Sequence, residues 1–400
     1  MSLILKRHVA VVTTSRADYS HLYWPLKEIV AHPDLELHLI VMGAHLSASF
    51  GETVKQIRAD GFSITAALDC LDPEDNDEAM ARTIGSAVSQ LTPVLGDLRP
   101  DILLLVADRY EMLAPASVAL ALRIPIAHIE GGDISEGAID DAVRNALTKM
   151  SHLHFTPTDD AKHRVLAMGE EAWRVTCSGA PSLDHLSHSR LPDREELQRG
   201  LGALLTDHYC VVVYHPVTLN EDTTSELGAL FSALTSWERQ LIFCYPNADV
   251  GSSKVVERIR EFCRGRDDAR LYVNLDHLTY WSLLSHASLM IGNSSSGIME
   301  TASLGLPTVD VGERQCGRTR AANVLDATAD IGEITRAMQK ATSAEFVLAI
   351  KDIRNPYGDG SASLRIVDVL ASAPDRQTLL RKRALSLGAE QDSFIQDSMQ

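Results

Sequence analysis

The residues best suited to chemistry stand at the ends of short apolar runs. Ala107-Asp108-Arg109-Tyr110-Glu111 follows Ile102 to Val106, Glu130-Gly131-Gly132-Asp133 follows a run ending near Ile129, and Asp140-Asp141-Ala142-Val143-Arg144 opens an amphipathic segment. On neighbouring strand or helix ends, Asp108, Glu130 and Asp140 share one rim. Crowded carboxyl groups raise one another's pKa, which suits proton transfer to and from carbon or a leaving group. Each alone also reads as a helix cap or a rim salt bridge, Asp140 above all.

A second set of residues is suited to holding an anion. Leu289-Met290-Ile291-Gly292-Asn293-Ser294-Ser295-Ser296-Gly297-Ile298-Met299-Glu300 reads as a strand, a serine turn and the start of a helix. Backbone N–H groups and hydroxyls converge there at a positive dipole end, which makes a diphosphate cradle, with Glu300 placed to accept from ribose hydroxyls. The bland alternative is an N-capping serine run. Arg314 and Arg318, beyond the next strand, add charge-assisted donors. Arg16, in Thr13-Thr14-Ser15-Arg16-Ala17-Asp18-Tyr19, is either a phosphate donor or a surface arginine, and His215, in Tyr214-His215-Pro216-Val217-Thr218, is an acid, base, phosphate donor or solvated turn residue.

Such residues need parallel strands to bring their carboxyl ends together. Val9 to Thr13, Leu35 to Val41, Ile102 to Val106, Ile124 to Ile129 and Leu153 to Phe155 read as strands, separated by helices at His21 to Val30, Ala79 to Leu98 (kinked at Pro93), Pro115 to Leu122 and Asp140 to Met150. Ser178 to Pro192 breaks the pattern and marks a linker. Strands then resume at Tyr209 to Tyr214, Leu241 to Tyr245, Leu271 to Val273, Leu289 to Gly292 and Thr308 to Val311, alternating with helices such as Ser225 to Thr235, Lys254 to Cys263 and Leu278 to Ser285. The fold class expected is α/β, two Rossmann-like doubly wound parallel sheets facing a cleft. The domains expected are 1–185 with the carboxylates, 186–370 with the nucleotide site, and a tail, 371–400, with a helix-compatible stretch at Leu379 to Leu385, free to pack back on the first domain.

Composition narrows the function. The 400 residues carry 37 Lys plus Arg against 54 Asp plus Glu, a net charge of -17, which speaks against nucleic acid or an anionic membrane as partner. No apolar stretch reaches membrane-spanning length, and the run after Lys6-Arg7-His8 is too short for a signal peptide, so a cytoplasmic protein is expected. The six cysteines lack a CxxC pair and read as free thiols. No GxGxxG follows the first strand, which argues against a nicotinamide or flavin cofactor, and His152 and His154 alternate on a strand without further ligands for a metal. No cofactor and no metal are expected.

Seven motifs in chain order resemble those of the UDP-N-acetylglucosamine 2-epimerase family, in its hydrolysing branch from sialic and legionaminic acid synthesis. They are Ser15 to Tyr19, Asp108 to Glu111, His128 to Gly132, Thr148 to His154, Pro246-Asn247-Ala248-Asp249, Gly292 to Gly297 and Asn355-Pro356-Tyr357-Gly358-Asp359-Gly360. The resemblance implies a GT-B fold, a UDP-sugar substrate and a homodimer or homotetramer. It implies removal of the C2 proton and expulsion of UDP to a 2-acetamidoglucal, then hydration to the free 2-epimer. By position Asp108, Glu130 and Asp140 match the acid/base carboxylates and His215 a family histidine. Arg16, Ser294, Ser295, Ser296 and Glu300 match nucleotide-binding positions, and Gly297 and Arg314 are counted with them. Two departures stand out: Ala107 where the family often has Gly, and Asn145 where the hydrolysing branch often has His. Gly43-Ala44-His45-Leu46-Ser47 replaces the Gln-His-Arg stretch of the non-hydrolysing branch. The sugar is open between N-acetylglucosamine and 2,4-diacetamido-2,4,6-trideoxyglucose, and the base between uridine and guanosine. A GT-B glycosyltransferase is the competing class.

Overall fold

The computed structural model describes residues 6–246 and 249–383. Asn247 and Ala248 of the fifth motif, and Ala384 and Leu385 of the tail segment, lie outside the described residues. Apolar runs buried on both faces form the central strands of two parallel sheets. The first sheet contains β1 (Arg7–Thr13), β2 (Leu35–Met42), β3 (Ile64–Leu68), β4 (Ile102–Val106), β5 (Ile126–Ile129), β6 (Leu153–Thr156) and β7 (Val175–Cys177), in spatial order β3-β2-β1-β4-β5-β6-β7. The second contains β8 (Cys210–Val213), β9 (Leu241–Cys244), β10 (Ala269–Tyr272), β11 (Leu289–Gly292), β12 (Thr308–Val311) and β13 (Val324–Ala327), in order β10-β9-β8-β11-β12-β13. This is the expected α/β, GT-B arrangement. In each sheet the strand order reverses beside the first strand, between β1 and β4 and between β8 and β11, and such switch points open a crevice at the carboxyl ends.

Three strands escaped the sequence reading: β3, β7 and β13. All are edge strands of three to five residues. With one face or more in solvent they need no continuous apolar run, so ITAAL, VTC and VLDA give little signal. Helices match more closely; Asp140–Met150 has the expected bounds, and the first, at Arg16–Ala31, starts earlier than His21 because Ser15 and Asp18 form a capping box.

The connection at 178–192 contains a short helix, Asp184–His188, before passing to the second domain. The chain returns through Tyr357 and Gly358 to the helix Ala362–Ser372. Ile366, Val367, Leu370 and Leu379 complete the core of the first sheet. The two crossings touch, with Ala180 N–H donating to Tyr357 C=O at 2.7 Å and the Asp184 carboxylate accepting from the Ala362 and Ser363 N–H groups at 2.9 and 2.7 Å. Gly358, at φ +128°, lies against Gly179, where a side chain on either would meet the other crossing. Arg174 fastens the end by donating to the carbonyls of Leu379 and Arg381, both at 3.0 Å. All six cysteines are free.

Candidate active site

A cavity of about 330 Å³ lies between the domains and receives both switch points. Asp108, Glu130, Asp140 and His215 line it, as do Arg16, Ser294, Ser295, Ser296, Glu300 and Arg314. Gly297 does not. Its α-carbon packs behind the turn, where a β-carbon would stand 2.9 Å from Thr308 Cγ2, so its part is to let the turn lie on β12.

The carboxylates reach the cavity through two strained turns. Ala107 and Glu130 directly follow β4 and β5 and hold φ at +56° and +66°, left-handed values that cost a non-glycine residue roughly 1–2 kcal/mol. The sheet enforces them: Ala107 N–H donates to Ile129 C=O at 2.9 Å and Glu130 N–H to Phe155 C=O at 2.7 Å. The position where the family often has Gly is therefore one that favours Gly.

Each of the three acids meets a cation. Asp108 is ion-paired with Arg144 and lies 4.0 Å from Arg318. Glu130 Oε1 contacts His21 Nδ1 at 2.6 Å. Burial opposes charge on His21, but Glu130 prevails and the imidazole rises to about 9. Asp140 sits 3.6 Å from Arg314. Burial, and after it the charge of Asp249, nevertheless keep the Asp140 carboxyl above the usual carboxylate range. Asp249 goes the other way: burial opposes its ionisation, but its ion pair with Arg109 lowers its pKa.

On the facing side, Asn293 organises the rim. Its side chain accepts from His215 N–H at 2.7 Å and donates to His215 C=O at 2.8 Å, while its own carbonyl accepts from Arg314 and Gln315 at 3.2 and 2.9 Å. Gly292, at φ +138°, lets β11 pass so close to β8 that a β-carbon would lie 1.9 Å from Val213 O. Burial, then Arg314, depress the His215 imidazole to about 3, so it is neutral at working pH. The helix after the serine turn is one turn long, Ser296–Met299, followed by a 3₁₀ turn. The dipole invoked from sequence is correspondingly small, and hydroxyls and cations carry the anion-binding capacity. Tyr280 donates to Ser296 Oγ at 2.9 Å, and Ser296 in turn donates to Glu300, which orients that carboxylate.

Five groups that the sequence left without a role complete the site: His21, Arg109, Arg144, Asp249 and Gln315. His21 and Arg144 look like ordinary amphipathic-helix polar residues, and Arg109 and Asp249 meet only across the two domains. Their presence inside quoted motifs was the available signal for Arg109 and Asp249. The predicted donor Arg318 joins the domains, reaching Ile134 C=O at 2.9 Å and the Asp133 carboxylate at 3.3 Å. Arg16 reaches Tyr245 C=O at 3.4 Å across the cleft. His152 and His154 are structural, accepting from Ile126 N–H at 3.0 Å and contacting Glu170 at 3.1 Å respectively.

A sequence profile described as UDP-N-acetylglucosamine 2-epimerase matches residues 27–371. The chain is 36% identical over 344 residues to a Campylobacter jejuni protein named GDP/UDP-N,N'-diacetylbacillosamine 2-epimerase (hydrolyzing), covering 85% of this chain and 89% of that one. It is 34% identical over 377 residues to the UDP-N,N'-diacetylbacillosamine 2-epimerase (hydrolyzing) of Legionella pneumophila, covering 94% and 98%. It is 32% identical over 339 residues to a Neisseria meningitidis UDP-N-acetylglucosamine 2-epimerase, covering 84% and 88%. In fold it is similar to the crystal structure of UDP-GlcNAc 2-epimerase from Neisseria meningitidis bound to UDP-GlcNAc, with a TM-score of 0.76 at 19% identity over 91% of this chain and 99% of the other.

Proposed function

The chain belongs to the UDP-N-acetylglucosamine 2-epimerase family, and we propose from that premise that it is a hydrolysing 2-epimerase, converting UDP-N-acetylglucosamine to N-acetylmannosamine and UDP. The observation that carries the reading is one cavity in which carboxylates of the first domain face a serine turn and arginines of the second. A C2 hydrogen is a very weak acid, so departure of the diphosphate accompanies or precedes its loss. Positive character then grows at C1 while negative charge grows on the diphosphate. Asp108 and Glu130 are placed to stabilise the first, and Ser294, Ser295, Ser296, Arg16 and Arg314 the second. Asp140, whose carboxyl is raised, is the group suited to hold and hand over a proton. His215, being neutral, acts as a hydrogen-bonding group rather than a cation. The elimination product, a 2-acetamidoglucal, takes up water at C1 and a proton at C2 on the opposite face. No cofactor enters this scheme.

Two observations favour a second substrate within the same reaction: the Campylobacter and Legionella relatives are both named for the diacetylbacillosamine nucleotide, one with GDP as well as UDP. Turnover in heavy water, with UDP-N-acetylglucosamine, its GDP counterpart and the UDP-2,4-diacetamido sugar assayed side by side, tests both. Free sugar carrying deuterium at C2, together with free nucleotide, is the expected product; protium retained at C2, or a required acceptor, overturns the reading in favour of glycosyl transfer. A cytoplasmic homodimer or homotetramer is part of the proposal, checked by light scattering. Among the described residues no helix is long and apolar enough to cross a membrane.

A further inference from the structure

The amino-terminal ends of β1 and β2, remote from the cavity, carry a polar trio that the proposed reaction does not use. Parallel register sets His8 of β1 opposite Glu36 of β2, and strand alternation puts His38 on the same face as Glu36. His8 Nδ1 and His38 Nε2 stand 2.9 Å apart, and Glu36 Oε1 lies 3.7 Å from His38 Nε2. One ligand atom from each of the three falls within 4.8 Å of the others. The imidazole planes differ by 6° and their centroids lie 5.1 Å apart, close to the nitrogen separation plus the two ring radii. The two nitrogens therefore point at each other along the ring planes and do not stack face to face. Asp101 fixes the strand beneath by accepting from His8 N–H at 2.8 Å.

We propose that His8, Glu36 and His38 bind a divalent transition cation of the zinc class through Nδ1, a carboxylate oxygen and Nε2, with water as fourth ligand. Bonds of about 2.0–2.1 Å at tetrahedral angles separate ligand atoms by about 3.3 Å. Without the ion the two imidazoles share a hydrogen bond; on binding, each ring turns by roughly 35° so that its lone pair meets the ion, the nitrogens open by a few tenths of an ångström and the carboxylate closes by as much. Two imidazoles and one carboxylate suit zinc, nickel or copper and not magnesium or calcium, which prefer oxygen throughout. The site stands at the start of β1, and at about 3.3 Å per residue the cavity at the strand's other end is roughly 17 Å away. The ion clamps β1 to β2 and touches no substrate.

Tag-free, chelator-treated full-length protein titrated calorimetrically with zinc chloride tests this. One ion per chain at about micromolar affinity is expected, weakened at least tenfold in both His38→Ala and Glu36→Gln. Glu36 is half exposed, so the second variant keeps the fold intact where the first fails. Zinc should also raise the Tm of the wild-type chain, and raise that of Glu36→Gln less at the same zinc concentration. Because free cysteines compete for zinc, cobalt substitution supplies the assignment: nitrogen and oxygen ligands give no thiolate charge-transfer band. No zinc uptake by the wild type, equal uptake by the variants, or a thiolate band overturns the proposal.

Discussion

Replacing Asp108 by Asn keeps the shape of the rim and removes the charge facing Arg144 and Arg318. The expected result is a fall in kcat of roughly 10²–10⁴-fold, the range for a positioned acid or base. UDP affinity should stay near that of the wild type, because the nucleotide is assigned to the other domain; unchanged turnover would remove Asp108 from the reaction. Ser296→Ala should give the complementary pattern, weaker UDP binding by calorimetry, since it takes a hydroxyl from the serine turn and also releases Glu300. The pair His21–Glu130 sets a pH limit. The His21 imidazole rises from 6.5 to about 9 on folding, so its contribution to stability is whole below about pH 6.5 and is lost as pH climbs through 9. A Tm measured from pH 6 to 10 should fall over that window, and His21→Gln should flatten the fall.

The turns after β4 and β5 show how element geometry governs the site. Ala107→Val places a β-branched residue at φ +56° and should cost about 2 kcal/mol or more by denaturant unfolding, whereas Ala107→Gly should be close to neutral, since relief of strain offsets the added chain entropy. This scale also divides what could be read in the sequence from what could not. β1, β4 and β11, and with them Asp108 and the serine turn, were legible because a strand buried on both faces is written largely as an apolar run; β5, with Glu130 after it, was legible in spite of its buried His128. β3, β7 and β13 were not, because an edge strand is under no such demand. Arg144 received no role from the sequence, since its partners, Asp108 and Ser135, come from other elements. The Arg109–Asp249 contact joins residues far apart in the chain, and local spacing carries no trace of it.

At the scale of the molecule, the helix Ala362–Ser372 decides which parts stand alone. Deleting the chain from Ala362 onward strips Ile366, Val367, Leu370 and Leu379 from the first core, each worth about 1.5–3 kcal/mol of burial. Together these rival the whole stability of an ordinary domain, roughly 5–15 kcal/mol, so the truncated protein should be insoluble or lack cooperative unfolding. Asp184→Ala, which uncaps that helix, should be milder at about 1 kcal/mol and should raise hydrogen exchange at Ala362 and Ser363. Topologically the second domain is an insertion within the first. During synthesis, residues up to about Ala341 suffice for the core of the second sheet to close, while the earlier-made first domain waits with an open core for its last helix. The half made first is thus the half finished last, and a chain stalled on the ribosome between these points would expose the carboxylate-bearing domain, not the nucleotide-binding one, to chaperones and proteases.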